Sequence, residues 1–335
     1  LRRRRRGGSC WRRVLICKLA LRCLLDSTRR ICEFGSVIQI GSFQITEMLY
    51  GSLKLDGGAM FGAVPKAIWA KTNLADDLNR IDLKMRGLLI RKPADSSEPG
   101  RNILVDCGVG SHWNSHFKEI FGVDLAQTSV TSGLMRQGLE PEDITDVILT
   151  HLHFDHAGGL SRLSEPNNPE SKRVAMFPNA RVYLQRRNWE NAHEPNEKER
   201  ASYRRESFEI YDDSSGLGKN LKLLDTSKEE VLFHGLSVEI SNGHTLGLQI
   251  IRIQDENRSL VYPADLIPTI SHIRPNYIAA YDCQPLLAIA EKKKLLSRAV
   301  EENTIVVYEH CPKVSAGTIV RDVKGNFQHG KEELL

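Results

Sequence analysis

The chain has 335 residues, 41% of them hydrophobic and 26% charged, enough to bury a full core as one large domain or two small ones. Its net charge of +4 hides an asymmetry: residues 1–30 hold ten Arg and Lys18 against Asp26 and carry +10, which leaves −6 on the remainder. A mildly acidic body argues against a nucleic-acid-binding surface.

The opening LRRRRRGGSCWRRVLICKLALRCLL is basic and free of acid before Asp26. We take residues 1–35 as an extension, disordered or targeting, with no part in the chemistry. Its apolar run from Val14 to Leu25 is interrupted by Lys18 and Arg22 and is too short to span a bilayer, so stable membrane insertion is not expected. Four of the seven cysteines (Cys10, Cys17, Cys23, Cys32) lie in this extension, leaving Cys107, Cys283 and Cys311 in the body. An odd count with no C-x-x-C pair predicts reduced thiols in a reducing compartment. A cytoplasmic setting is expected, with organelle targeting by the Arg-rich N-terminus left open.

From Ser36 onward, short apolar strands alternate with Gly-containing turns and helical stretches. SVIQIGSFQITEML and GLLIRK read as early strands, and NILVDCGVG as a buried strand running into a turn at Asp106–Gly110. VTSGLMRQGL has helical spacing, and EPEDITDVILT leads into a strand ending at Thr150. SEPNNPESKR reads as a surface insertion. ARVYLQ is a strand, and Arg186 to Tyr211 reads as charged and largely helical. The second half supplies LSVEISNGHT, LQIIRI, the turn QDENRS, LVYPADL, a helix through PLLAIAEKKKLLSRAVEE and a last strand, TIVVYEH. Strands in runs with helices at the flanks predict two packed sheets covered by helices. With no Pro-, Gly- or Ser-rich linker, residues 36–335 form one domain.

The chemistry concentrates in LTHLHFDHAGGL, Leu149 to Leu160. His151, His153 and Asp155 recur every second residue after an apolar β-run, which in extended backbone turns all three to one side. His156 breaks that period and marks the onset of a turn or helix. Ala157, Gly158 and Gly159 let backbone pack close to the loop. Imidazole nitrogens and carboxylate oxygens suit zinc and its first-row neighbours, and one loop cannot close a coordination shell. Further donors follow other apolar runs: His244 in SNGHTLG, Asp265 in VYPADL and His310 in VVYEHCP.

On these residues the chain resembles the metallo-β-lactamase superfamily. More narrowly, KLDGGAMFGAVPKAIW, THLHFDHAGG, PADLIPT and AAYDCQPL resemble its quorum-quenching N-acyl-homoserine lactonase-like branch. The resemblance implies an α+β, four-layer αββα sandwich with two divalent metal ions, zinc foremost. His151, His153 and His244 would hold the first ion and Asp155, His156 and His310 the second, with Asp265 bridging. It further implies that a metal-bridging hydroxide attacks a lactone or other carboxylic ester, with Asp155 orienting it and relaying a proton. Asp106 would steady a ligand imidazole or cap its own turn.

The chain departs from the family pattern at Leu246, Ala264 and Cys311, where Pro, Gly and Asp are common in relatives. Pro268 stands where some lactonases carry a Tyr that contacts the substrate carbonyl; Tyr281 or His272 would then fill that role. Met60, Phe61, Val64 and Trp69 are expected to form an apolar, substrate-facing wall. His112, His116, His193, His234 and His329 lack ligand spacing.

A glyoxalase II-like thioester hydrolase would use the same seven donors, and a nuclease of this fold would want a basic face that the acidic body lacks. The partner expected is a small-molecule ester or lactone, with no nucleic acid; a homodimer is an assembly this reading admits.

Overall fold

Ile103, Leu104 and Val105 are all buried, yet they alternate between two apolar clusters, Ile103 and Val105 packing in one and Leu104 in the other. A strand covered on both faces requires this two-residue period. The same alternation runs through Leu88, Leu89 and Ile90, through Val147, Ile148 and Leu149, and through Val182, Tyr183 and Leu184.

These residues come from a computed structural model that describes residues 36–335 apart from Ser97, His112, Gln127, Asn167, Pro169 and 213–215. The expectations for residues 1–35 and for His112 therefore lie outside the described residues.

The strands are β1 (Ile38–Ile40), β2 (Phe43–Asp56), β3 (Arg80–Lys92), β4 (Arg101–Val105), β5 (Asp146–Ile148), β6 (Ser161–Leu163), β7 (Arg173–Ala175), β8 (Arg181–Gln185), β9 (Leu221–Leu224), β10 (Glu229–Phe233), β11 (Leu236–Ser241), β12 (Leu248–Gln254), β13 (Ser259–Tyr262), β14 (Ile305–Val307), β15 (Ala316–Arg321) and β16 (Phe327–Glu333). One seven-stranded sheet has the order β1-β2-β3-β4-β5-β8-β9, and a second runs β10-β11-β12-β13-β14-β15-β16. β6 and β7 pair as a separate hairpin.

Short helices α1 (Gly57–Phe61), α2 (Lys66–Trp69), α3 (Ser115–Ile120), α4 (Val130–Arg136), α5 (Phe154–Ala157), α6 (Arg186–His193) and α7 (Arg205–Phe208) pack their apolar residues with Leu104 on the outer face of the first sheet. The long helix α8 (Pro285–Glu301) packs Ala288, Leu295, Leu296 and Ala299 with the residues of the second sheet. Helices, two sheets and helix give the expected four layers. No helix among the described residues is long and apolar enough to cross a membrane.

The structure corrects three local expectations. TIVVYEH is not the last strand, because β15 and β16 follow it and complete the second sheet. The stretch from Arg186 to Tyr211 is helical only at α6, α7 and a closing 3-10 turn. Residues 194–204 between them run as turns that bring Glu199 and Tyr203 inward, both nearly fully buried. The polar stretch SEPNNPESKR is bracketed by β6 and β7, so it tops a hairpin.

Topology places the chemistry. β4 and β5 run parallel, as do β13 and β14, and β11 runs antiparallel to β12, itself antiparallel to β13. β11, β13 and β14 thus point the same way, and Asp106, His151, His244, Asp265 and His310 all follow the C-terminal ends of strands.

Candidate metal centre

The central loop leaves β5 in extended backbone, but only as far as His153, which caps the N-terminus of α5. Asp155 and His156 therefore reach the site on the first turn of a helix; the expected strand alternation holds for His151 and His153 alone. Backbone supports are close enough to forbid side chains: a Cβ on Gly159 would stand 2.1 Å from the Cys107 carbonyl oxygen, and one on Gly158 2.2 Å from that of Val109.

Six of the seven predicted donors fall into two convergent groups, and Glu309 joins the second. Ligand-capable atoms of His151, His153, His244 and Asp265 lie within 4.8 Å of one another, as do those of His156, Asp265, Glu309 and His310. Asp265 belongs to both groups and is the hub: Oδ2 is 3.2 Å from His244 Nε2, 3.4 Å from His156 Nε2 and 3.8 Å from His151 Nε2, while Oδ1 is 2.9 Å from His310 Nε2. Asp155 flanks the second group, 3.8 Å from His156 Nε2 and 3.7 Å from His310 Nε2.

The outer partner of each imidazole fixes which nitrogen faces inward. Asp282 Oδ1 holds His244 Nδ1 at 2.8 Å, and the Lys84 carbonyl holds His310 Nδ1 at 2.7 Å. His151 Nδ1 is 3.0 Å from Thr150 Oγ1, whose own proton goes to Asp106 Oδ2 at 2.8 Å. His156 Nδ1 faces Asp106 Oδ2 at 3.1 Å. His153 is reversed: its Nε2 points to Glu199 at 3.8 Å, and its Nδ1 sits 3.2 Å from His244 Nε2. Asp106 accordingly fills both expected roles, since Oδ1 also accepts the Thr150 N–H at 2.7 Å. Two residues beside these groups sit in left-handed backbone, Asp106 at φ 53° and Ala264 at φ 49°. Such strain persists where surrounding structure enforces it.

Lone pairs thus converge with too few protons to bridge them. His151 Nε2, His156 Nε2 and Asp265 Oδ1 are buried and make no hydrogen bond among the described residues, a cost that a native site bears only with a missing partner. The charges point the same way. Burial depresses His151 and His153, whereas at His244 and His310 burial is overcome by Asp265 and its acidic neighbours, raising them to about 10 and about 9. Burial opposes ionisation of Asp265, yet His310, His244 and His156 hold it well below the carboxylate range. Without a cation the carboxylates keep protons on imidazoles, and a divalent ion would displace them. Nitrogen and oxygen donors in two groups sharing one carboxylate fit a pair of such ions.

The donors open into a cavity of about 680 Å³, mouth included, walled by Leu55, Met60, Phe121, Phe154, Pro268, Ala279 and Tyr281. The expected front wall is only partly right. Met60 lines the cavity, but Phe61 and Trp69 stack on each other in the core, centroids 5.3 Å apart, and Val64 packs against that core. His272 does not reach substrate space: it is buried, with Nδ1 2.8 Å from Thr269 Oγ1 and Nε2 2.8 Å from the Met60 carbonyl. Tyr281 does line the cavity, and burial with nearby Asp56 and Asp155 pushes its phenol up to about 12, so it stays a proton donor.

Sequence reasoning missed Asp282, Glu199, Glu291 and Glu309. Glu291 on α8 accepts from Ser241 Oγ at 2.6 Å and from the N–H groups of Asn242 and Gly243 at 3.0 Å each, clamping the loop before His244. Only Glu309 left a signal, a charged residue inside an apolar strand end; it is buried, and burial against the pull of His156 raises it to about 7.

Comparison with known proteins bears on the family and the fold. An N-acyl homoserine lactonase of Bacillus cereus is 29% identical over 182 residues, 53% of this chain and 60% of the relative, so the match spans less than two thirds of that protein. The lactonase AttM of Rhizobium radiobacter is 25% identical over 228 residues, 64% of this chain and 80% of the relative. A crystal structure of a probable metal-dependent hydrolase from Staphylococcus aureus superposes with a TM-score of 0.74 at 28% identity, covering 89% of this chain and all of that one. AidC, a dizinc quorum-quenching lactonase, shares the fold at a TM-score of 0.67 and 21% identity, over 90% of this chain and 98% of its own. Residues 89–310, which contain all seven predicted donors, match the metallo-beta-lactamase superfamily, and the chain belongs to that superfamily.

Proposed function

We propose that the protein is a binuclear metal-dependent hydrolase of lactones or other carboxylic esters that carry an apolar arm. The observation that carries this reading is two donor groups sharing Asp265 at the floor of a cavity with apolar walls. A pair of divalent ions, zinc foremost, would supply a hydroxide nucleophile at neutral pH and polarise the acyl carbonyl.

The chain's own residues do the rest. Asp155 lines the cavity beside the second group, where its carboxylate orients the nucleophile and accepts a proton for delivery to the leaving oxygen. Tyr281 takes the place that Pro268 leaves vacant: its hydroxyl donates to the developing oxyanion. Leu55, Met60, Phe121 and Phe154 exclude water and receive the apolar arm. The similarity to N-acyl homoserine lactonases supports a lactone as the first substrate to test.

A glyoxalase II-like thioester hydrolase remains the second reading. Against it, no Lys or Arg is among the described residues that line the cavity, and the carboxylates of an S-acyl glutathione would need cationic partners. Hydrolysis of a panel of lactones, aryl esters, phosphotriesters and S-acyl glutathiones, with metal analysis of the same sample, tests the assignment. Lactones or esters are expected to lead; a clear preference for the thioester would replace this reading with the second.

A further inference from the structure

Behind His156 the structure holds one acid more than the imidazole needs. Asp106 Oδ2 and Glu309 Oε1 stand 3.1 and 3.0 Å from the same nitrogen, Nδ1. That nitrogen carries at most one proton, so it cannot satisfy both carboxylates. Glu309 is 2% exposed, and its Oε2 makes no hydrogen bond among the described residues. Arg86 does not relieve it by a hydrogen bond to the carboxylate: that guanidinium is bonded to the main-chain carbonyls of Tyr308, Glu309 and Cys311 and to the Glu47 carboxylate. The Tyr262 hydroxyl donates to the Arg86 carbonyl at 2.6 Å and stands 3.5 Å from Asp106 Oδ2, close to the Glu309 carboxylate as well, so its one proton goes chiefly to the carbonyl. On the opposite edge of the ring, His156 Nε2 lacks a hydrogen-bond partner and faces Asp265 at 3.4 Å and Asp155 at 3.8 Å.

Removing a charge from water without a partner is costly. Without a metal, protons held on the ring and the acids balance the arrangement; a divalent cation on the Nε2 side would displace them, and the ring would transmit to it the pull of both acids. The group around His151, His153 and His244 is served differently. Thr150 and Asp282 bond the outer nitrogens of His151 and His244, Glu199 stands 3.8 Å from that of His153, and none of those nitrogens faces two carboxylates as His156 Nδ1 does.

We propose that Glu309 is a metal-site residue of this chain, a second buried carboxylate on His156 that makes the His156–His310 position the tighter of the two for a divalent cation. This inference rests on the two-metal reading above. Glu309 is a positioning residue: it acts through His156, adding basicity and negative charge without touching substrate. An outer carboxylate of this kind changes metal affinity by roughly 10- to 100-fold.

The test is a Zn(II) titration against a chromophoric chelator of the chelated full-length protein, wild type beside Glu309→Gln. Wild type is expected to bind two equivalents with distinct affinities; the variant should lose tenfold or more on the tighter one and keep the weaker within twofold. Glu309→Asp, which keeps the charge, should recover most of the loss. Co(II) loading should show altered visible bands for one equivalent only. Should the Gln variant misfold by circular dichroism, Glu309→Ala is measured in its place, with the same loss expected. Two equivalents in wild type with both constants unchanged in the variant would overturn the role of Glu309. Fewer than two in wild type would overturn the two-metal reading and this inference with it.

Discussion

Asp282 Oδ1 lies 2.8 Å from His244 Nδ1, and both side chains are buried. The contact fixes the ring so that Nε2 faces Asp265. Two backbone bonds hold the pair in register, since Cys283 N donates to the His244 carbonyl at 2.9 Å and Gln284 N to the Gly243 carbonyl at 2.8 Å. Asp282→Ala should leave the fold intact and weaken metal binding about 10- to 100-fold. Competition with a chelator reads this; unchanged affinity would show that the contact is incidental.

Two substitutions within the donor set have sharper consequences. His153→Ala and Asp265→Asn each remove a donor from a convergent group, and each should abolish turnover while circular dichroism stays that of the parent. Loss of Asp265 should lower metal content at both positions, because its carboxylate belongs to both groups. Near wild-type rates in either variant would mean that the donor assignment is wrong.

The Tyr281 hydroxyl is the donor assigned to the substrate carbonyl. Tyr281→Phe should cut kcat/KM by about 100- to 1,000-fold without changing metal stoichiometry. Steady-state kinetics on the best ester, beside metal analysis, separates this from a structural defect. A wild-type kcat/KM would hand the role to another group.

How far the sequence foretold this site follows from how each residue is held. His151, His153, His244, Asp265 and His310 were legible because each follows an apolar β-run, and strand ends gather at one edge of two sheets. Asp155 was found by motif, although the reason first given for its orientation, strand alternation, gives way to the first turn of α5. Asp282 and Glu199 were not legible: they lie in loops, and only tertiary folding brings them to His244 and His153, 38 and 46 residues distant in sequence. The aromatic front segment misled for a related reason. Periodicity does not say which of Met60, Phe61 and Trp69 faces a cavity and which faces the core. β16 was passed over because its exposed positions, Gln328, Lys331 and Glu332, are polar or charged, as on an edge strand.

His272 makes a pH-dependent contribution that stands apart from the donors. Burial, then the positive charge of Lys292, depress it to about 4, against roughly 6.5 in an unfolded chain. As pH falls below 6.5 the unfolded state takes up a proton that the native state refuses until about 4. Stability therefore drops with acidification across that window, by on the order of 3 kcal/mol in all. His272→Phe gives up the bonds to Met60 and Thr269 and should be less stable at pH 7, but the gap to wild type should narrow between pH 6.5 and 4. Urea unfolding at several pH values checks this; parallel curves would contradict it.

If side chains dispersed along the sequence hold metal ions without which no ester is cleaved, activity must follow metal content. Metal content by mass spectrometry and ester hydrolysis, followed on one sample through exhaustive chelation and stepwise return of zinc, test it most directly. The account predicts no turnover in the stripped protein and recovery that completes at two equivalents per chain. Full turnover in protein shown to be free of metal would contradict it.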